Sequence, residues 1–525
     1  MKTPNFQNHL NGDLNLCYKY LIIIILMIGF ITNSFSQQLA FPSAEGFGKY
    51  ATGGRGGSVI KVTNLNNSGS GSLRSALEAS GTRTIVFEVG GTINLSSNIY
   101  VNDGNFTLAG QTAPGDGILI RGAMIQIERS NAIIRYIRFR PGPTAPNGAD
   151  ALNITAWGGF TVEDIIIDHC SLSWADDENF DIRAVGSGVI RDITIQHSII
   201  SEAGKGALAG EGTFNKTYYK NLFAHNSERN IRTNFPEAGT FDFEMINNLI
   251  YGFRYGTIPS LGNKFTVLNN KYKESNDTNV LVTSMIEGST SGQGIPSETH
   301  AYLSGNILVP GTQQNNSALN PYLENTPYLT SGIQAIEASQ IENNILDHVG
   351  ASLPTRDQVD IRIVNQYINS NGSTASSGTY PTISGGTAPE DTDNDGMPDF
   401  WEVSNNLNIN DPSDRNIIQE DGYTNLEYYL NGMSLTQQVS AGDDQTSCLG
   451  EPITLSASGA ISYIWNTGET TQDITVNPDT TTTYTVTGTH ENGSTTSDTV
   501  TVTISQFPIA RAGACLSYPS PSPRD

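Results

Sequence analysis

Cysteine and basic residues are both scarce in this chain. Its 525 residues include 4 Cys, and 28 Lys and Arg stand against 52 Asp and Glu, which gives a formal net charge of −24. So few Cys exclude a disulfide-dense scaffold, and without CxxC or Cys/His spacing nothing suggests a zinc site. The acidic balance argues against nucleic acid and anionic membranes as partners, because both attract basic patches.

Long apolar runs are lacking as well. Residues 20–31, YLIIIILMIGFI, are too short to span a bilayer comfortably, and small polar residues follow them. This pattern predicts a secretory signal over residues 1–36, cleaved near Ser36, which would leave a secreted protein without a membrane segment. An uncleaved anchor is the alternative.

One short phrase returns between Thr161 and Asn344: β-branched or aromatic residues, then His or Asn, then an apolar pair. Its polar position recurs at steps of 28, 24, 27 and 22 residues through His169, His197, Asn221, Asn248 and Asn270. A repeat this short cannot bury its own apolar face, so each turn must stack on the next, with Asn at the corner forming a ladder of amides. The Leu spacing of a leucine-rich horseshoe is missing, and two-residue hairpin turns are rare. We therefore predict an all-β chain built around a parallel β-helix.

Composition shifts along the chain predict its domain organisation. The predicted segments are residues 1–36 (signal), 37–368 (β-helix), 369–390 (Ser/Gly/Thr-rich linker), 391–433 (acidic, partly helical calcium-binding segment), 437–505 (small β-sandwich) and 506–525 (disordered or truncated tail). The sandwich resembles immunoglobulin-like or PKD-like modules, with Trp465 as its expected core aromatic.

Carboxylates gather in the middle of the predicted solenoid. Asp150 precedes the stretch DHCSLSWADDENFDIR, which contains Asp177 and Asp181. Hard oxygen ligands grouped in this way suit Ca²⁺, which tolerates irregular geometry. A solvated acidic turn is the alternative.

Cations follow these carboxylates on the next coils. Lys205 lies in EAGKGALAG, and AHNSERNIR contains Arg229 and Arg232. Cations that face carboxylates across one side of a solenoid are suited to an acidic sugar, because Arg offers a bidentate fork. Taken singly, each is an ordinary surface charge.

Six motifs in order resemble pectate lyases of polysaccharide lyase family 1, from about Leu39 to about Leu346: GFGKYATGGRGG, VTNLNNSGSGSLRSAL, FEVGGTINL, AGQTAPGDGI, DHCSLSW and RNIR. The resemblance implies a right-handed parallel β-helix. It also implies that Ca²⁺ bridges enzyme carboxylates and the uronate of polygalacturonate, while an Arg removes the C5 proton and the glycosidic bond breaks by β-elimination.

The resemblance also implies a role for each candidate residue. Carried over by position, these are the calcium ligands Asp150, Asp177 and Asp181, the catalytic base Arg229, and the substrate-binding cations Lys205 and Arg232. The sequence departs from the family pattern at Ile231, which occupies a Pro position, and at Asn234, which occupies the position of a second Arg.

A second calcium site is predicted after the linker. The stretch DTDNDGMPDFWE fills positions 1, 3, 5, 6, 9 and 12 of the EF-hand loop with Asp391, Asp393, Asp395, Gly396, Asp399 and Glu402. We expect structural calcium here, which would stiffen the junction after the linker.

The leading hypothesis is a secreted, calcium-dependent pectate lyase that cleaves (1,4)-α-D-galacturonan to unsaturated oligogalacturonates. Its expected partner is polygalacturonate or pectin, and we expect a monomer that binds neither nucleic acid nor, once the signal is cleaved, membrane. A glycoside hydrolase on the same solenoid is an alternative, with Asp176, Asp177 and Glu178 as acid and base. A non-catalytic glycan-binding or adhesin solenoid is another.

Overall fold

A computed structural model describes most of residues 37–505. The undescribed gaps within this range are 234–241, 278–281, 291–293, 311–317, 329, 375–376, 420, 433–438, 443, 461 and 490–494. The predicted signal, the predicted tail and Asn234 therefore lie outside the described residues. None of the helices in the described part of the chain has the length and apolar character that a membrane span requires.

Three parallel sheets form the main body of the described chain. The first has ten strands: β1 (Ser58–Val62), β2 (Arg83–Phe87), β5 (Phe106–Ala109), β8 (Ala132–Arg135), β11 (Thr161–Asp168), β14 (Val189–Gln196), β17 (Lys216–Tyr219), β20 (Asp242–Ile246), β23 (Lys264–Leu268) and β26 (His300–Ser304). The second has nine: β3 (Gly91–Asn94), β6 (Ile118–Arg121), β9 (Ile137–Phe139), β12 (Ser171–Ser173), β15 (Ile199–Ser201), β18 (Leu222–Ala224), β21 (Leu249–Tyr251), β24 (Lys271–Lys273) and β27 (Ile307–Val309). The third has six: β4 (Ile99–Val101), β7 (Ile125–Ile127), β10 (Leu152–Trp157), β13 (Glu178–Val185), β16 (Lys205–Ala209) and β19 (Glu228–Thr233). A separate parallel pair consists of β22 (Tyr255–Thr257) and β25 (Ser284–Ile286).

Apolar side chains stack in rows inside the solenoid because neighbouring strands are parallel and in register. One buried row of the first sheet runs through Ile85, Leu108, Ile134, Ile167, Ile195, Tyr218, Met245 and Val267. Full burial of one such aliphatic side chain contributes about 1.5–3 kcal/mol. The predicted all-β parallel β-helix is confirmed.

At the corner between the first two sheets, the left-handed backbone and the amide ladder occupy two consecutive positions, whereas the sequence prediction assigned both to one position. Left-handed backbone occurs at His169, His197, Lys220, Asn247 and Asn269. The ladder of buried amides runs one residue later, through Asn221, Asn248, Asn270 and Asn306. The prediction placed His169 and His197 on the ladder, and this register was wrong by one residue. Side chains of consecutive residues at the corner point in different directions, so the two His rings stack on each other instead, with centroids 4.8 Å apart.

Helices cover parts of the solenoid. Helix α1 (Leu73–Leu77) begins after Ser72, whose hydroxyl oxygen accepts a hydrogen bond from the Ser75 amide, and its apolar side chains join the main core. Helix α2 (Gln358–Asn369) begins after Asp357, whose carboxylate accepts two backbone N–H bonds. Apolar side chains of α2 pack on the second sheet.

The described part of the predicted linker lies against the solenoid. Tyr380 packs edge-on against Trp174, with ring centroids 5.0 Å apart, and its hydroxyl donates to the carbonyl oxygen of Arg140 at 3.1 Å. The backbone N–H of Ser384 donates to Oδ2 of Asp116 at 2.8 Å. Although this segment contains few apolar side chains, it therefore contacts the solenoid.

Two further helices pack on the first coils. The apolar cluster of α3 (Asp399–Ser404) and α4 (Asn425–Gly432) consists of Met397, Trp401, Leu426, Tyr429 and Leu430, in contact with Val86 and Ala109 of the solenoid. The segment with the predicted calcium loop thus shares a core with the β-helix.

The last strands form two small sheets. One contains β28 (Gln445–Cys448), β30 (Ser462–Trp465), β32 (Thr482–Thr489) and β33 (Thr495–Ser505), and the other contains β29 (Ile453–Ser456) and β31 (Asp473–Val476). Both contribute to one apolar cluster, in which Trp465 is buried. The likeness to immunoglobulin or PKD modules stays a prediction.

Candidate active site

The candidate residues lie on the third sheet and the turns that lead into its strands. The register places Asn153 of β10 beside Asp181 of β13, Asp181 beside Leu208 of β16, and Leu208 beside Arg232 of β19. Residues 24 to 28 positions apart in sequence are therefore neighbours on adjacent coils, and Asn153, Asp181 and Arg232 lie in one row of the sheet.

Four carboxylates meet on this face. Oxygens of Asp150, Asp177 and Glu178 lie within 4.8 Å of one another. The side-chain amide of Asn153 donates to Oδ2 of Asp150 at 2.8 Å and to Oδ2 of Asp181 at 3.1 Å. The amide therefore bridges Asp181 to the other three.

Burial and mutual repulsion make these carboxylates costly to ionise. Burial raises the pKa of Asp150 to about 7, and the Asp177 carboxylate adds to the increase against the hydrogen bond from Asn153. Burial also raises the pKa of Asp181 to about 8, with a further contribution from Asp150. Oδ1 of Asp181 is buried and has no hydrogen-bond partner among the described residues. Closely spaced hard oxygens with an unpartnered buried atom fit a divalent cation.

Three cations contact this acidic group. Nζ of Lys205 pairs with Oδ1 of Asp177, and Nη1 of Arg229 pairs with Oε1 of Glu178. Arg183 is more exposed, and its Nε lies 3.4 Å from Oδ2 of Asp181. The structure thus brings Lys205 to the predicted ligand Asp177 and Arg229 to the neighbouring Glu178.

Arg229 occupies an unusual environment. Its backbone is left-handed, with φ of 56°. Burial and the neighbouring Arg232 guanidinium lower the pKa of Arg229, whereas the Asp177 carboxylate acts in the opposite direction. Gly206 permits this backbone position, because a Cβ there would lie 2.8 Å from the Arg229 carbonyl oxygen.

A β-bulge lies between Arg229 and Arg232. Ala207 pairs with Asn230 and Leu208 pairs with Arg232, so Ile231 is the extra residue of β19. Its φ is 76° and its side chain is buried in the main core. Position 231, where the family pattern has Pro, therefore has a backbone conformation that Pro cannot adopt.

Three features of the site were missed by the sequence reasoning. Glu178 was given a role only as a candidate acid or base of a hydrolase, yet it is the partner of Arg229. Asn153 and Arg183, which contact the carboxylates, were not singled out. Asn153 lies 28 residues before Asp181, the repeat step itself, and this spacing was an available signal.

The predicted EF-hand residues divide into two groups. Oxygens of Asp391, Asp393 and Asp395 lie within 4.8 Å of one another, and so do oxygens of Asp395, Glu402 and Asp414. The Asp399 carboxylate instead accepts hydrogen bonds from the backbone N–H and the hydroxyl of Thr392, at 2.8 and 2.7 Å. Asp414, outside the 12-residue loop, was missed.

Comparison with known proteins identifies the family. No family model matches the sequence. A protein of Aspergillus terreus described as "Probable pectate lyase C" is 35% identical over 437 residues, covering 78% of this chain and 98% of that protein. Its namesake from Emericella nidulans is 32% identical over 425 residues, covering 77% and 94%. The chain belongs to the pectate lyase family.

Solved structures add a weaker likeness to this pectate lyase family member. A major allergen from cedar pollen has a TM-score of 0.44 and 17% identity, covering 58% of this chain and 92% of that chain. A pectate lyase bound to a hexasaccharide has a TM-score of 0.43 and 18% identity, covering 61% and 99%. Both TM-scores are too low to add weight to the assignment, which rests on the sequence relatives.

Proposed function

We propose that this protein is a calcium-dependent pectate lyase that cleaves (1,4)-α-D-galacturonan by β-elimination and releases unsaturated oligogalacturonates. The observation that supports this most is the position of Arg229, whose pKa is lowered by burial and by Arg232, next to a group of closely spaced carboxylates. A base beside a cation-binding group of carboxylates is what proton removal next to a uronate requires.

The acidic group supplies the ligands for calcium. Asp150, Asp177 and Asp181 would hold Ca²⁺, with Glu178 beside them. When bound, the ion supplies positive charge that makes the C5 proton of the uronate more acidic and weakens the pull of Glu178 on the Arg229 proton. Asn153 orients Asp150 and Asp181 through its amide.

Arg229 then acts as the base. Its neutral guanidinium accepts the C5 proton, the C5–H electrons form the double bond between C4 and C5, the C4–O bond breaks, and the leaving oxygen takes a proton from water. Arg is ordinarily charged because its pKa exceeds about 12. Burial and the nearby Arg232 favour the neutral form.

Substrate binding falls to the cations around the acidic group. Lys205 and Arg232 offer charge-assisted hydrogen bonds to uronate carboxylates. Arg232 is in the same sheet row as Asp181, at the register position beside Leu208. We further propose that the protein acts as a secreted monomer.

A hydrolase on the same residues is less consistent with the contacts. Glu178 is occupied by its contact with Arg229 and is therefore not free to act as a general acid. Asp176 is exposed, and its Oδ2 accepts the Gly148 N–H at 2.6 Å. Neither residue is therefore placed to protonate a leaving sugar.

The test is the product formed from polygalacturonate by the purified full-length protein in calcium. We expect one ultraviolet-absorbing unsaturated end for each new reducing end, because elimination makes both together. Reducing ends without ultraviolet absorbance would establish hydrolysis and overturn the proposal. We expect Asp181→Asn to reduce turnover and raise the calcium requirement, whereas Asp399→Asn, in the distant loop, serves as the matched control.

A further inference from the structure

A second acidic cluster lies far from the active site in sequence and carries the signs of an ion-binding site. Asp395 and Glu402 are fully buried, and Asp414 is 6% exposed. Oxygens of these three residues lie within 4.8 Å of one another. An oxygen of Asp393 lies within 4.8 Å of an oxygen of Asp395, and both oxygens of Asp393 are buried without a hydrogen-bond partner among the described residues. We call Asp393, Asp395, Glu402 and Asp414 the lock cluster.

Most oxygens of the lock cluster lack protein donors in the described part of the chain, the exceptions being Oδ1 of Asp395, which accepts the Met397 N–H at 2.8 Å, and Oδ2 of Asp414, which accepts the Asn408 N–H at 3.1 Å. Among the described residues, both oxygens of Glu402, Oδ2 of Asp395 and Oδ1 of Asp414 are buried without a hydrogen-bond partner. The nearby cation Lys61 is engaged elsewhere, since its Nζ lies 2.9 Å from Glu88 and 3.0 Å from Asp391. Buried carboxylates that lack a partner are strongly destabilising. A bound cation would satisfy all of them at once.

The donor chemistry selects the ion. Every donor is a carboxylate oxygen, and the set contains neither a thiolate nor an imidazole, which favours a hard cation. The donors come from a loop, the helix α3 and a separate turn, a flexible arrangement that suits Ca²⁺ better than the strict octahedron of Mg²⁺. Asp414 enters the group from outside the loop, whereas Asp399 is held by Thr392.

The segments that carry the donor residues are connected to the solenoid by packing and hydrogen bonds. Met397 and Trp401, next to the cluster residues, pack with α4 on Val86 and Ala109. The turn that carries Asp414 is tied to α4, because Asn425 donates to the Asp414 carbonyl oxygen at 2.9 Å. An ion that joins the loop, α3 and this turn would therefore fix the whole segment on the first coils.

We propose that the lock cluster binds one calcium ion, with Asp414 as a ligand in place of Asp399, and that this ion fastens residues 391–432 to the first coils of the β-helix. The role is structural and does not depend on the proposed catalytic function. The proposals therefore place calcium at two sites, the active site for turnover and the lock cluster for stability.

The test compares thermal unfolding of full-length variants in calcium and in chelator. For the wild type we expect calcium at about 100 times its Kd to raise the unfolding temperature by about 3 °C. Asp414→Asn and Glu402→Gln should each lose most of this increase, while the matched control Asp399→Asn should keep it. A full increase in Asp414→Asn, or an equal loss in Asp399→Asn, overturns the proposal.

Two readouts separate this site from the active site. Asp181→Asn should lose turnover yet keep the part of the calcium-dependent increase that the lock cluster contributes, and Asp414→Asn should keep turnover in calcium at low temperature. Terbium, a luminescent substitute for calcium, should be sensitised by Trp401 in an Asp181→Asn background, where the active-site group is disabled, and this emission should be lost when Trp401→Phe or Asp414→Asn is added. Terbium emission that survives the addition of Asp414→Asn contradicts the assignment even if that variant is poorly stable.

Discussion

Replacing Arg229 with Gln separates proton transfer from the other roles of this side chain. A Gln amide can still donate to Glu178, which is 3% exposed and would otherwise become a buried carboxylate without a partner. Gln, like Arg, is a non-Gly residue, so the substitution leaves the cost of the left-handed backbone at position 229 unchanged. What the variant loses is the group that accepts the proton.

The expected loss follows from the role of a general base. Positioned acid–base catalysis contributes roughly 10²- to 10⁴-fold to rate, which corresponds to about 2.7–5.4 kcal/mol of activation free energy. We expect kcat for Arg229→Gln to fall within this range while the KM for polygalacturonate changes little. The assay is the initial rate of unsaturated product at saturating substrate and calcium.

The matched control is Arg183→Gln, which removes a guanidinium from the same acidic group. Arg183 lies 3.4 Å from Asp181, and its side chain is 55% exposed. Loss of this charge should change kcat by less than about tenfold, since an exposed ion pair contributes only about 0–1 kcal/mol. Equal losses in the two variants would show that Arg229 acts through charge alone and would refute its role as the base.

Three other outcomes follow from the structure. Gly206→Ala should lower kcat by roughly tenfold to a hundredfold without unfolding the protein, because the new Cβ displaces the Arg229 backbone; initial rates and circular dichroism check this. Asn248→Ala should lower the free energy of unfolding in urea by roughly 2–5 kcal/mol, because the buried Asn221 N–H loses its acceptor. In chelator, the unfolding temperature of the wild type should fall more steeply than that of Asp181→Asn as pH rises from about 5 to about 8, because the pKa of Asp181 is about 8 in the folded state and about 4 when unfolded, so the folded state retains a proton that the unfolded state has lost. Calcium should abolish that difference in slope, and a difference that persists in calcium would contradict the metal role of Asp181.

The fold was predictable because the same types of residue recur in each repeat. Stacked coils need β-branched strands and a polar corner, and both recur at nearly constant spacing. The precise corner was not predictable. In the doublets Asn247–Asn248 and Asn269–Asn270, either residue tolerates the left-handed backbone and either can form the ladder. Only the packing of the chain decides which Asn of a doublet adopts the left-handed backbone and which one joins the ladder.

The candidate site was predictable where its members share a motif. Asp177 and Asp181 lie four residues apart, whereas Glu178 and Arg229 are 51 residues apart on separate coils. Their pairing depends on the coil lengths between them, which vary. Asp414 was missed for a similar reason, since the loop motif ends at Glu402 and packing alone brings the later turn beside it.

The bulge at Ile231 explains how this chain can depart from its family's Arg-rich pattern and still have a cation in the row of Asp181, two strands away. Left-handed backbone costs about 1–3 kcal/mol at each non-Gly residue, and both Arg229 and Ile231 adopt it. Burial of the Ile231 side chain offsets part of this cost. In return the extra residue advances the chain by one position, so that Arg232 enters the row of Asp181. A Pro at position 231 could not adopt φ of 76°, and the register that places Arg232 there would be lost with the bulge.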